Sequence, residues 1–397
     1  MEQKWDAHAA QASAFFMKSS TGVTCRVLAT SDIDLWQTSE AFFTLITYLN
    51  DLSTEIQGVL GTADFPVSEN IRRLTTIFDK LDAIINTSPP APQVVDTLAS
   101  ASLDLGNKGY RRFSRSMHRD IYQILEGALP TTKCRYVNEL GHYLSGAFGS
   151  ATKIEYGTGH EMSFLFFMCG LFEAKILRRS VDLASSGLIL FDRYLKFVRR
   201  MQVTYSVVSA NSQGAYALDK FQFVPYIWGA AQLCYNAPFS PQKMLDKDTM
   251  EQYKEYMLID CVRHVAETEV GPFARHSSQL WSLAALSSWT KIHRGLMFMY
   301  MEDILLDFDV LSTLGFGELM SFEKAKSGRQ LGHARLGVMS PLSCQQSSSS
   351  SKIDLAAADN VYSDALSNSG LSMGSACSSL SGVNIHLPTW IEEESPN

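Results

Sequence analysis

The chain reads as an all-α protein, a single large helical domain followed by a disordered C-terminal tail. Three observations predict this. Apolar residues recur every three to four positions over most of the first 320 residues. Strand-like alternation with hairpin dipeptides is nearly absent. After about Leu319 the periodicity stops and serine takes over, with an unbroken run from Ser347 to Ser351.

The elements follow in order. Residues 1–30 are weakly patterned. Residues 34–57 put Leu35, Phe42, Leu45, Ile46, Leu49 and Leu52 on one helical stripe. A second helix starts at Ser68 and runs to Asn86, with Ile71, Leu74, Ile77, Phe78, Leu81 and Ile84 facing inward. Pro89, Pro90 and Pro92 stop it, because each proline removes a donor and restricts its predecessor. Further helices are expected from Tyr110 to about Leu129, ended by Pro130, and over 135–148, closed by Gly149. Residues 161–177 are apolar on nearly every side, as a central buried helix would be. Residues 188–205 are amphipathic through Phe191, Tyr194, Leu195, Val198 and Met201. Two more long helices are expected over 248–269 and 288–306. The domains are therefore a weakly ordered 1–30, a helical 31–320 and a Ser-rich tail, 321–397. The tail cannot bury enough apolar area to offset the entropy of ordering it. Its serines beside acidic residues are candidates for phosphorylation, or the tail is simply a solvated linker.

The bulk composition narrows the function classes. With 397 residues, 46% of them apolar, a sizeable core can form. A net charge of −7 argues against general nucleic-acid affinity. No stretch approaches 18 consecutive apolar residues and Met1 to Lys18 has no apolar signal core, so neither membrane insertion nor secretion is expected. Seven widely spaced cysteines without a CxxC argue against zinc ribbons and thioredoxin-like chemistry. They read as reduced thiols of a cytoplasmic or nuclear protein.

Three blocks carry the candidate chemistry. In the first, Tyr156-Gly157-Thr158-Gly159-His160-Glu161, two glycines flank a threonine just before a helical segment. Gly157 and Gly159 permit backbone angles that other residues resist. Their amides and the first helix amides would form a cup for an anion. Thr158 would cap the helix or donate to a phosphate, and Lys153 adds charge. The competing reading is a tight turn with a helix cap. There is no GxxxxGK[ST] and no expected strand before the loop, which excludes a P-loop. His160-Glu161 has no second histidine at zinc-protease spacing, so His160 reads as a hydrogen-bonded structural residue.

The second block, Leu218 to Gly229, is rich in large aromatics: Phe221, Phe223, Tyr226 and Trp228. Such residues form either core or an aromatic groove suited to a proline-containing peptide. In the third, Gly271 to Trp281, a turn leads into a helix, with His276, Gln279 and Trp281 as contact candidates. Trp281 and Trp289 are alternatively core. Arg111, Arg112, Arg115, His118 and Arg119 form a basic helical face, solvated or turned to an acidic partner.

These blocks, in this order, closely resemble the protein phosphatase 2A activator (phosphotyrosyl phosphatase activator) family. Gly106 to Arg111, Arg193-Tyr194-Leu195 and Ser212-Gln213-Gly214 match as well, so the likeness covers about residues 30–320. It implies an all-helical domain with core, linker and lid subdomains. It also implies binding to the catalytic subunit of protein phosphatase 2A, peptidyl-prolyl isomerase activity, and ATP with magnesium held in a deep pocket. The family's nucleotide positions fall on Lys153, Thr158 and Gly159, and on Asp309, Val310 and Ser312, with Glu155 and Tyr156 adjoining. Its magnesium positions fall on Gly214 and Lys220. Tyr156, Asp219, Phe223 and Trp228 would line the isomerase groove.

The chain departs from the family at four positions. Lys153 and Lys220 stand where the family has arginine and aspartate, and Arg275 and Ser287 where it has glutamate and proline. An ammonium cannot ligate magnesium. Lys220 then either neutralises phosphate itself or marks a copy that holds the phosphatase without nucleotide.

Overall fold

Two serines show how local sequence sets the helix starts. The Ser39 hydroxyl accepts the Phe42 amide at 3.2 Å, and the Ser68 hydroxyl accepts the Ile71 amide at 3.3 Å. In the computed structural model, residues 22–90, 99–210 and 218–338 are described, with the side chains of 99–107 excepted. All belong to one compact unit.

The helix expected over 34–57 is two, α1 (Ile33–Gln37) and α2 (Glu40–Glu55). The break turns Trp36 inward, where its indole N–H donates to the Leu305 carbonyl at 2.8 Å, and leaves Leu35 58% exposed. Helix α3 (Glu69–Thr87) ends ahead of Pro89, as expected. Helix α4 (Ala99–Ala128) starts eleven residues before Tyr110 and continues through Gly106 and Gly109. Gly109 lets this helix pass close to the proline turn: a Cβ there would lie 3.0 Å from the Pro90 Cα. A 3₁₀ turn (Thr131–Tyr136) precedes α5 (Val137–Gly146), and Gly149, at φ +86°, closes it.

Helix α6 (Thr158–Glu173) is buried on nearly all sides and forms the centre. Its Phe164 ring stacks on Tyr194, with centroids 3.7 Å apart. Residues 179–205 run continuously from α7 (Arg179–Ser185) through a π turn (Ser186–Phe191) into α8 (Asp192–Tyr205). The strands β1 (Glu155–Tyr156) and β2 (Val208–Ser209) pair in parallel. A strand does therefore precede the glycine loop, held by pairing with a segment some fifty residues on rather than by its own pattern. Beyond it lies α9 (Val224–Gln232), buried throughout. The helix expected over 248–269 is divided into α10 (Lys247–Gln252) and α11 (Met257–Thr268). Short helices α12 (Phe273–His276) and α13 (Ser278–Leu283) lead to α14 (Trp289–Met299). A second π turn (Tyr300–Ile304) and the single-turn α15 (Phe308–Leu311) finish the helical part.

The packed chain extends past 320. Residues 321–338 have no regular structure but lie along α2. The Ala325 amide donates to the Thr38 carbonyl at 2.8 Å, Asn50 donates to the Gly332 carbonyl at 2.8 Å, and Gln57 accepts the Gly337 amide at 2.6 Å. Arg329 pairs with Glu40. Backbone groups satisfied by helix side chains hold this strap without an apolar stripe of its own. The rest of the tail expected to be disordered, 339–397, lies outside the described residues, as does 1–21.

Candidate functional site

The glycine loop opens one wall of a cavity of about 430 Å³. Its geometry differs from the expected one. Gly157 is the cap residue, in extended backbone any residue adopts (φ −169°), and Thr158 is the first helical residue. The strained position is Ile154, a β-branched residue at φ +59°. The Ser150 carbonyl accepts its amide at 2.7 Å, turning the chain into β1. Lys153 and Glu155 sit on the rim as an ion pair 3.2 Å apart. Gly159 faces the opposite wall, where an added Cβ would lie 3.6 Å from the Thr313 hydroxyl and 3.8 Å from Val310. His160 is held by the Gly146 carbonyl at 2.9 Å, and its burial lowers its pKa.

Glu161 ties the loop to the aromatic block. Its Oε2 accepts the amides of Phe223 and Val224 at 2.9 and 3.1 Å, capping α9 from outside. Burial pushes its pKa up to about 8 against the pull of those two donors, and Oε1 has no partner. Asp219 is similarly occupied. It accepts the amides of Phe221 and Gln222 at 2.7 and 3.1 Å and the Tyr226 hydroxyl at 2.6 Å. The third wall comes from the π turn and α15: Asp303, Ile304, Asp307, Asp309, Val310, Ser312 and Thr313. Asp307 accepts the Asp309 amide at 2.8 Å, and desolvation raises the Asp303 pKa. Gln279 of α13 completes the lining.

Most of the residues singled out meet here. Lys153, Glu155, Thr158, Gly159, Asp219, Phe223, Asp309, Val310 and Ser312 all line the cavity. Tyr156 and Trp228 do not. Tyr156 is fully buried, its hydroxyl 2.6 Å from that of Tyr194. Trp228 is a core residue, 4.7 Å from the Phe191 ring centroid. Tyr156 turns inward from strand β1, and Trp228 sits on a helix that is buried on every side. Trp289 is core and donates to the Phe239 carbonyl, whereas Trp281 is 44% exposed. Arg111, Arg112, Arg115, His118 and Arg119 form an exposed face. The sequence reading missed Ser150, Asp303 and Asp307. The visible signal for the aspartates was the acidic run from Glu302 to Asp309 at the end of a long helix.

Residues 23–322 match the phosphotyrosyl phosphate activator (PTPA) protein family. The chain belongs to this family. A serine/threonine-protein phosphatase 2A activator of Drosophila melanogaster is 44% identical over 78% of this chain and 76% of its own length. A probable activator of Dictyostelium discoideum is 31% identical over 73% and 87%. The crystal structure of the PP2A phosphatase activator Ypa1 PTPA1 has 26% identity and a TM-score of 0.66, covering 76% of this chain and 95% of that one. The strap beyond residue 322 lies outside the family match.

The resemblance implies two groups for this cavity, a nucleotide and magnesium. The N-terminal turn of α6, side-chain-free Gly159 and Lys153 fit a phosphate. Magnesium at the inherited positions does not fit. Gly214 lies outside the described residues. Lys220 points its ammonium at Glu269, 2.5 Å away, and lines a separate cavity. Among the described residues no cluster of three or more His, Cys, Asp or Glu side chains is ready to hold a metal ion.

Proposed function

We propose that this protein is an activator of protein phosphatase 2A that works on the phosphatase catalytic subunit. The observation that carries this reading is the 44% identity to the Drosophila activator across most of both chains. The 430 Å³ cavity supports it, since residues 153–160 and 303–313, far apart in the chain, form facing walls. Binding of the purified catalytic subunit, and a rise in its phosphatase activity on addition of this protein, are the expected results. Failure of both would refute the proposal.

ATP is the proposed ligand of the cavity. Lys153 and the start of α6 would hold its phosphates, and Asp309, Val310 and Ser312 the facing side. Five rim carboxylates, Glu155, Asp219, Asp303, Asp307 and Asp309, oppose a bare polyphosphate, so binding requires a cation carried with it. Lys220 provides no ligand for that cation. Isothermal titration with ATP, with and without magnesium, tests this.

Peptidyl-prolyl isomerisation is the proposed catalytic activity, with Asp219 and Phe223 as the wall that meets the peptide. The barrier is about 18–20 kcal/mol. An apolar face that excludes water and binds the twisted imide better than either planar isomer would lower it. Phe223→Ala is expected to cut isomerisation of a proline peptide about tenfold or more. The proposed location is the cytoplasm and nucleus, consistent with the free thiols of Cys25, Cys134, Cys169, Cys234 and Cys261. Imaging of the tagged protein checks it.

A further inference from the structure

The basic face of α4 lines neither wall of the cavity. Arg111, Arg112, Arg115, His118 and Arg119 are exposed along it, and Lys108, one turn earlier, is exposed as well. Residues 108–125 include one carboxylate, Asp120, and Arg119 already grips both its oxygens, at 2.7 and 2.8 Å. Among the described residues, Arg111, Arg112 and Arg115 pair with no carboxylate, and Arg111 reaches only the Ala151 carbonyl, at 3.5 Å. Other arginines of the same molecule are paired: Arg179 with Asp51, Arg193 with Asp82, Arg199 with Asp260 and Arg329 with Glu40. Arg111, Arg115 and Arg119 also stand four residues apart in turn, where like charges weaken a helix. The unpaired guanidiniums therefore oppose the helix that carries them, which suits a surface that meets its counter-charge on a partner.

The face has defined edges. At one end Arg111 touches the 150–153 loop, which carries Ser150 and Lys153 of the cavity rim. On one flank, burial raises the Tyr205 pKa to about 12 and the charges of Arg200 and Arg112 pull against that rise, so both arginines stand near the Tyr205 hydroxyl. The pair of Arg119 with Asp120 closes the far end. Along the helix axis Arg111 and Arg115 are about 6 Å apart. Alternate residues of an extended segment share one face and advance about 6.6 Å. Carboxylates at every second residue of such a segment would thus come opposite successive arginines, and a guanidinium takes a carboxylate through two parallel bonds. A nucleic acid or an anionic membrane fits less well. It would reach past this face, over the remainder of a chain whose net charge is already −7 with these arginines counted.

We propose that the Arg111–Arg115 face of α4 docks an extended acidic segment of a partner protein, with glutamate or aspartate at alternate positions. Arg111 and Arg115 each take one carboxylate, and Arg112 adds charge from the flank. The face lies outside both the nucleotide and the peptide parts of the cavity, so the proposal stands whether or not those readings do.

The test is fluorescence polarisation on the full chain with three labelled probes. They are a short peptide alternating serine and glutamate, the same peptide with glutamine for glutamate, and an oligothymidylate of matched charge. Binding of the glutamate peptide is expected, weakening as salt is added, with no binding of the glutamine peptide. The double variant Arg111→Gln, Arg115→Gln should lose at least tenfold in affinity. Arg275→Gln, which removes an exposed arginine of α12, should lose none. The double variant should also melt no lower than the wild type, because it removes repulsion on an exposed face. A clearly lower melting temperature would mean that these arginines serve the fold, and would overturn the proposal. So would an equal loss in Arg275→Gln, which would reduce the effect to net charge, or unchanged binding by the double variant. Tighter binding of the oligothymidylate would assign the face to nucleic acid, and no binding of the glutamate peptide would leave it a solvated surface.

Discussion

Replacing Glu161 by glutamine should stabilise the protein, and the gain should depend on pH. The carboxyl is fully buried and its pKa stands near 8, raised first by desolvation and lowered less by the amides of Phe223 and Val224. An unfolded chain returns it to the ordinary value of 4.5. The folded state therefore holds a proton that the unfolded state releases. Stability is greatest below the unfolded pKa, falls as pH rises from about 4.5 to about 8, and levels off above. At about 1.36 kcal/mol per unit, the loss amounts to about 3 kcal/mol at pH 7 and under about 1 kcal/mol at pH 5. Glutamine has no proton to lose. Its carbonyl can accept both amides, and its NH₂ would replace Oε1 near the Tyr300 hydroxyl, which also lacks a partner and feels the Glu161 charge. Urea denaturation of both proteins at pH 5, 7 and 9 reads the difference. The variant should gain little at pH 5 and progressively more towards pH 9. Parallel curves for the two proteins would refute the assignment of Glu161 as a neutral buried carboxyl.

Three further outcomes are expected. Tyr156→Phe should cost about 1 kcal/mol of stability through its lost bond to Tyr194 and leave isomerase turnover unchanged; a large loss of turnover in a fully folded variant would return Tyr156 to the catalytic wall. Lys220→Asp removes the pair with Glu269 and sets two carboxylates face to face, so magnesium should raise the melting temperature of the variant and not of the wild type. Glu40→Ala removes the partner of Arg329 and the acceptor of the Lys326 amide, so trypsin should cut at Lys326 and Arg329 several-fold faster than in the wild type, as read by mass spectrometry.

What the sequence could show depended on the range of the forces involved. The helix start at Ser68 and the stop before Pro89 are local, and both stand as read. The break at Thr38 was hidden because Leu35 and Trp36 are both apolar, and only packing against Leu305 decides which turns inward. The two π turns leave no mark in a hydrophobic period. The two-residue strands exist only through each other. At the site, the glycine loop and the Asp309 segment could be named separately, but no spacing rule puts them on facing walls. Aromatic side chains were the least legible. The same block holds Phe223, which lines the cavity, and Trp228, which lies in the core five residues later. The partner of Lys220 sits 49 residues further along the chain, beyond any local pattern.

The Glu161 carboxyl has a mechanical consequence. It sits one turn below Gly157 on α6 and grips the first amides of α9, directly after the loop that carries Asp219 and Phe223. Two jaws of the cavity are thereby clamped into a single rigid piece. The third jaw, residues 303–313, hangs from a π turn and a helix of one turn, and no bond to Glu161 restrains it. Only two of the three sides are therefore joined through this carboxyl. Any widening to admit a ligand should be read in the displacement of Asp307 and Val310, while Gly159 and Phe223 keep their separation.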